Sequence, residues 1–172
     1  MSTFAIHPVE RNSVKPFLRV AQTGDAEFLF QLFAERHTAQ FAPLGWSDAQ
    51  LRSMLQMQYR ARAAGYAQQF VDLERFVIHT EDQHPVGELL LYRTNQEIRI
   101  VDICISNEYR QQGMGTQVLS ELQREAATTG SAITLSVDHE NPARKLYERL
   151  GFHETGSNAL QAEMRWQFAE TM

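Results

Sequence analysis

The chain has 172 residues, 43% hydrophobic and 22% charged, a balance suited to one compact domain with its own core and unlike that of a disordered chain. Its net charge of -5 and lack of a long basic run argue against nucleic acid as a ligand, since such binding rests on Lys and Arg neutralising phosphates. The single cysteine, Cys104, excludes an internal disulfide framework and a cysteine-rich zinc site and favours a cytoplasmic location, while no signal-like leader or apolar run of about 18 residues points to secretion or a membrane span.

Residues 1–15 read as an N-terminal tail, and the domain is expected over 16–172. A strand over 17–21 leads to Thr23, placed to cap a helix with Asp25 and Glu27 in its first turn and Leu29, Leu32 and Phe33 on its apolar face. Ser47-Asp-Ala-Gln50 fits a capping box, and Leu51, Met54, Leu55 and Tyr59 recur at helical spacing up to Gly65, the predicted stop. The period then changes: 73–80, 85–93 and 97–105 are β-rich runs joined by short polar turns, an antiparallel meander. A helix over 114–129 follows, with Val118, Leu119, Leu122 and Ala126 on one face and Gly130 as its stop. After a strand over 133–137, Asn141 and Pro142 open a helix carrying Leu146, Tyr147 and Leu150, Gly151 ends it, and 152–168 suits a closing hairpin. The order is α+β, with one strand–helix–strand crossover that should be parallel.

Two segments carry chemistry. In the first, the strand ending Ile103-Cys-Ile105 runs into Arg110-Gln-Gln-Gly-Met-Gly-Thr116, a glycine-bearing loop at a helix N-terminus. Unpaired backbone N–H groups and the helix dipole converge there, suiting phosphate oxygens, although a turn that merely needs glycine has the same pattern. A Rossmann turn is excluded, because position 118, where a third glycine would fall, is Val. The second segment is Asn141-Pro-Ala-x-x-Leu146-Tyr147-x-x-x-Gly151-Phe152. Together, in this order and with one helix and one strand between, the two segments resemble the GNAT superfamily of acyl-CoA-dependent N-acyltransferases.

The resemblance implies a three-layer α+β fold: a central mixed, mostly antiparallel twisted sheet of about six to seven strands, flanked by about four helices and splayed at the cofactor site. It implies acetyl-CoA as cosubstrate, an amine as acceptor and a homodimer as a reasonable assembly, while charge and hydropathy give no nucleic-acid or membrane partner as the expectation. It assigns Ile103, Cys104 and Ile105 to the pantetheine arm, and Arg110, Gln111, Gln112, Gly113, Met114, Gly115 and Thr116 to the pyrophosphate. Gln111 stands where the family often has Gly, so an ordinary backbone conformation is expected for it. Asn141 would meet the pantetheine arm or act only as a cap, and Arg144 would approach the cofactor phosphates or lie on a solvated face.

Tyr147 matches the family's general acid, with a core aromatic as the competing description. A phenol of pKa about 10 protonating a thiolate whose conjugate acid is near 8.5 is uphill by roughly 2 kcal/mol. Bringing a lysine-like amine to its neutral form at pH 7 costs roughly 4.6 kcal/mol and an α-amine about 1, so the need for a base depends on the acceptor. Asp102, a lone carboxylate inside an apolar strand, is either that base or half of an ion pair. Glu88 is a weaker candidate, read as facing solvent. Cys104 is read as a small buried residue rather than a nucleophile, and the 6 histidines show no metal spacing. Acceptor specificity falls to Trp46, Gln58, Tyr59 and Tyr66, with Arg52, Arg60 and Arg62 either attracting an acidic acceptor or forming a solvated face. An N-acetyltransferase is the function expected, with a non-catalytic acyl-CoA sensor as its competitor.

Overall fold

The computed structural model describes residues 16–168, so the tail expected over 1–15 lies outside the described residues. Strand β1 (Phe17–Val20) leads through a single 3₁₀ turn, Thr23–Asp25, into α1 (Ala26–His37). Asp25, not Thr23, organises this entry. Its carboxylate accepts two bonds of 2.7 Å from Arg19 and one of 2.7 Å from the Gln22 N–H, and a charge-assisted acceptor displaces the weaker hydroxyl. The Arg19 guanidinium, helped by that N–H, holds Asp25 down at about 2.

Helix α2 (Asp48–Gln69) opens on the reciprocal cap the sequence implies: Ser47 Oγ accepts from Gln50 N–H, and Gln50 Oε1 from Ser47 N–H at 3.0 Å. It then runs straight through Gly65, against the predicted stop. A helical glycine costs about 1 kcal/mol relative to Ala but does not by itself end a helix. The residues beyond it favour continuation, with Arg62 reaching the Tyr66 hydroxyl and Tyr66 packing on Phe70.

Strands β2 (Glu74–His79), β3 (Pro85–Arg93) and β4 (Glu97–Ile105) form the predicted meander. Helix α3 (Met114–Thr129), strand β5 (Ala132–Asp138), helix α4 (Ala143–Arg149) and the hairpin β6 (His153–Ser157) and β7 (Gln161–Trp166) complete the chain. Among the described residues the strands make one seven-stranded sheet, ordered β1-β2-β3-β4-β5-β7-β6, in which only the β4·β5 pair is parallel. The fold is α+β, mixed and mostly antiparallel, with four α-helices, as the resemblance implies. Among the described residues no helix is long and apolar enough to cross a membrane.

Helices α3 and α4 cover one face, where Val118, Leu119, Leu122 and Tyr147 pack with Leu89, Leu91, Ile98 and Ile100. Helices α1 and α2 cover the other, with Phe30, Phe33 and Leu55 packed together. Strand β4 changes which face its residues serve partway along its length. The register jumps from Leu90↔Asp102 to Leu91↔Ile100, leaving Val101 as an extra residue. This bulge turns Ile103 and Ile105 onto the α3/α4 core alongside Ile98 and Ile100, and Asp102 and Cys104 toward α1 and α2. Beside it, β3 and β4 approach so closely that a Cβ on Gly87 would lie 2.5 Å from the backbone oxygen of Cys104.

Candidate active site

The site begins as a defect in the sheet. Strand β4 pairs with β5 only from Glu97↔Ala132 to Ile100↔Leu135, and beyond that point β5 stays with β7 alone. The ladder on the other side of β4 shows which backbone groups face the resulting gap. Ser106 N–H donates to Val86 at 2.9 Å, so alternation along the antiparallel pair turns Cys104 toward Glu88 and turns the backbone groups of Ile103 and Ile105 away from β3, into the gap. Arg110 Nε donates to the Ile105 carbonyl at 2.9 Å, in keeping with that direction. Of the three strand residues singled out in the sequence, Ile103 and Ile105 thus line the gap with their backbones. Cys104 is directed into the sheet, 8% exposed, with burial pushing its thiol pKa up, which suits a packing residue and not a thiolate nucleophile.

At the mouth of the gap, a 3₁₀ turn (Asn107–Tyr109) leads into the loop before α3. Gly113 caps α3 in the left-handed region, φ +81°, and offers no side chain to the first turn, which contains no acidic residue. Among the described residues no side chain accepts from the N–H groups of Met114, Gly115 and Thr116, so the positive end of the helix is open. Met114, 1% exposed, anchors this turn in the core. Gln112 Nε2 ties the loop back to the Glu108 carbonyl at 2.8 Å. Gln111 departs from the ordinary conformation expected of it: its φ is +61°, so a glutamine holds a left-handed position at a cost of about 1–2 kcal/mol.

Across the gap, Asn141 Oδ1 accepts from Ala143 N–H at 2.9 Å, the capping role, and its amide NH₂ makes no bond to a described residue. Arg144 is committed to two carboxylates, Glu148 at 3.1 Å and Glu154 at 2.7 Å, and so fastens α4 to β6. Tyr147, 6% exposed, packs edge-on against Phe152 at 5.7 Å, while its hydroxyl makes no hydrogen bond to any described residue. Burial, with the charge of Asp102 added, pushes its phenol up to about 12, and Arg36 opposes the rise.

Arg36 is the residue that sequence reasoning missed. It stands in the last turn of α1, 66 positions before Asp102, and its Nη1 donates to both oxygens of Asp102 at 3.0 and 3.2 Å. Arg62 of α2 bonds the same carboxylate, so Asp102 takes the ion-pair alternative, with two guanidinium partners. Arg62 is accordingly not part of a solvated face. Glu88 does not face solvent either: it is 3% exposed, on the same side of the sheet as Asp102. Arg75 Nε lies 3.1 Å from Glu88 Oε1, yet the angle makes no hydrogen bond and Oε1 is left buried without one. Burial raises the Glu88 pKa against the pull of Arg75 and Arg62. Tyr59 packs on Phe30 and Phe33, which is a core role, and Trp46 stacks on Phe41.

A mostly antiparallel sheet that opens between its one parallel pair, with a helix N-terminus at the mouth of the opening, defines an acetyltransferase-type fold. The family description "Acetyltransferase (GNAT) domain" matches residues 47–168, and the chain belongs to this family. It is 36% identical over 80 residues to the uncharacterized N-acetyltransferase YycN of Bacillus subtilis (strain 168), a match spanning 45% of this chain and 46% of that protein, about half of each. Among solved structures it is similar to the PaiA N-acetyltransferase of Thermoplasma acidophilum in complex with coenzyme A, with a TM-score of 0.66 and 18% identity over 89% of this chain and 99% of that one. The spermidine N-acetyltransferase of Vibrio cholerae in complex with CoA and spermine shares the fold with a TM-score of 0.60 and 22% identity, over 88% and 95% of the two chains.

Proposed function

We propose that this protein is an N-acetyltransferase that moves an acetyl group from acetyl-CoA to a primary amine by direct attack, with no acyl-enzyme. The observation that carries the reading is the gap between β4 and β5, with the open N-terminus of α3 at its mouth and the unpartnered phenol of Tyr147 beside it. Acetyl-CoA supplies an activated thioester; everything else is work for the chain's own groups. Backbone N–H groups from Gln111 to Thr116, with Arg110 beside them, hold the pyrophosphate. Ile103 and Ile105 pair with the pantetheine arm as an added strand, Asn141 offers its free amide to it, and the Ile105 N–H polarises the thioester carbonyl. Arg144 braces α4 rather than reaching a phosphate, because leaving Glu148 and Glu154 would forfeit two ion pairs.

As the neutral amine's nitrogen bonds to the carbonyl carbon and the carbon–sulfur bond breaks, Tyr147 donates its proton to the departing sulfur, the nitrogen sheds one proton to solvent, and solvent returns one to the Tyr147 phenolate, leaving amide and thiol. The raised phenol keeps Tyr147 in its proton-bearing form throughout the physiological range. It also makes the transfer harder: about 12 against a thiol near 8.5 is about 5 kcal/mol uphill, more than twice the cost for an unperturbed phenol. A turnover of about 10 per second corresponds to a barrier of about 16 kcal/mol, so a step of that height fits within the reaction. Asp102, held by two guanidiniums, positions Arg36 and Arg62 and is not the base.

The test is calorimetric binding of acetyl-CoA followed by a coenzyme A release assay over a panel of amines. Binding with release supports the enzyme, binding without release on any amine supports the sensor alternative, and absence of binding sinks both.

A further inference from the structure

The α1/α2 face of the gap carries more positive charge than negative. Three guanidiniums, Arg36, Arg62 and Arg75, meet two carboxylates there, Asp102 and Glu88. At the rim, Glu35 and Arg110, which bond the Asn107 N–H and the Ile105 carbonyl, offset one another. Arg36 stands out within the cluster. Its side chain is 37% exposed, and only Nη1 is engaged, with Asp102; its Nε and Nη2 bond to no described residue. The Nε–Nη2 edge presents two parallel N–H groups, the geometry that accepts a carboxylate in bidentate fashion. Asp102 holds this guanidinium in place, and Arg62 keeps Asp102 from neutralising it completely.

Position matters as much as charge. Asp102 adjoins Ile103, whose backbone lines the gap, and it faces α1 and α2, opposite the side where α3 opens. Strand β4 joins the two sides, with the Ile103 backbone in the gap and the neighbouring Asp102 carboxylate held by Arg36. The site thus has a donor side at the α3 N-terminus and an acceptor side at Arg36.

We infer that the acceptor is a small amine that also carries a carboxylate, bound bidentately by the Nε–Nη2 edge of Arg36. This rests on the acetyltransferase reading and adds the class of acceptor to it. The same excess charge disfavours the protonated amine relative to the neutral one, which eases the proton loss that attack requires. Burial, reinforced by Arg36 and Arg62 and opposed by Asp102, lowers the pKa of neighbouring His37, in keeping with a net positive field at this spot. A polyamine meets repulsion here, because every ammonium beyond the reacting one must approach a cluster in which three guanidiniums face two carboxylates.

The experiment is a coenzyme A release assay with the common α-amino acids, β-alanine and γ-aminobutyrate. Each is paired with the alkylamine left when its carboxylate is replaced by hydrogen; spermidine completes the panel, and rates are compared per neutral amine. The expected result is a kcat/KM at least about tenfold higher for the best carboxylate-bearing amine than for its partner, the size of one charge-assisted hydrogen bond, with spermidine below both. In Arg36→Gln that ratio falls toward one, and in Arg36→Lys, which keeps the charge without the fork, it falls partway. Arg62 still pairs Asp102 in both variants, so no buried carboxylate is stranded, and retained coenzyme A binding reports an intact fold. Spermidine or an alkylamine matching the carboxylate-bearing amines, or a ratio that survives Arg36→Gln, overturns the inference and leaves the acetyltransferase reading standing. Coenzyme A release with no amine at all overturns both.

Discussion

Tyr147→Phe isolates the proton that the proposed mechanism needs and changes little else. The ring, its buried setting and its edge-on contact with Phe152 at 5.7 Å all remain, and the lost hydroxyl had no described partner. Stability should therefore stay within about 0.5 kcal/mol, or a melting shift under about 2 °C for a domain of this size. Removing a general acid costs about 10²- to 10⁴-fold in rate. The raised phenol places this case near the lower limit. A proton leaving a group at about 12 for a thiolate near 8.5 recovers little driving force, and that thiolate is itself a tolerable leaving group near neutral pH. We expect kcat to fall about 10²-fold, near 3 kcal/mol, with kcat/KM falling equally and coenzyme A affinity unchanged. Because the acid form is lost only as pH rises through about 12, the wild-type rate should show no alkaline fall due to Tyr147 up to about pH 10. Initial rates of thiol release and calorimetry read these quantities. A variant within threefold of wild type removes Tyr147 from the chemistry, and one that loses coenzyme A affinity shows a structural role instead.

The two loop glycines should part company: Gly113→Ala, at φ +81°, should lose about 1–2 kcal/mol, whereas Gly115→Ala, whose Cβ would sit 3.8 Å from Leu146, should gain up to about 1 kcal/mol in thermal unfolding. Equal effects would show that strain at Gly113 is not what sets the loop. Gly87→Ala forces a Cβ to within 2.5 Å of the Cys104 backbone oxygen and should cost more than about 2 kcal/mol in denaturant titration; a neutral result would refute the tight β3–β4 approach. For Asp25, depressed from 3.8 to about 2 by Arg19, the stabilisation is complete above about pH 4 and is lost as pH falls through about 2. With Arg19 33% exposed, solvent screening reduces it to about 1–2 kcal/mol, so Asp25→Asn should be less stable by that amount at pH 7 and should converge on wild type near pH 2. A gap independent of pH would refute that linkage.

Much of the architecture was legible before any coordinates, because its signals are local. Caps, stops and apolar spacing act over a few residues, and so the meander, α3 with its Gly130 stop, and the closing hairpin fall where the pattern puts them. The local misreadings have equally local causes: Asp25 outbid Thr23 for the turn, and good helix formers carried α2 past Gly65. Position 111 is subtler, since only the path of the loop shows that glutamine occupies a left-handed site.

The sequence by itself determined the end of this protein to which the proposed function assigns the donor: a glycine loop at a helix N-terminus, an Asn-Pro helix bearing Tyr147, and the crossover joining them. Tertiary structure alone decided the other end. The extra residue at Val101 turns Asp102 toward α1 and α2, where Arg36 meets it across 66 positions of chain, and Glu88 becomes a buried carboxylate instead of a solvated one. The physical reason is range. Helix and strand signals are stored in neighbours three or four residues apart, whereas a charge acquires its partner, its exposure and its pKa only from segments that folding brings to it.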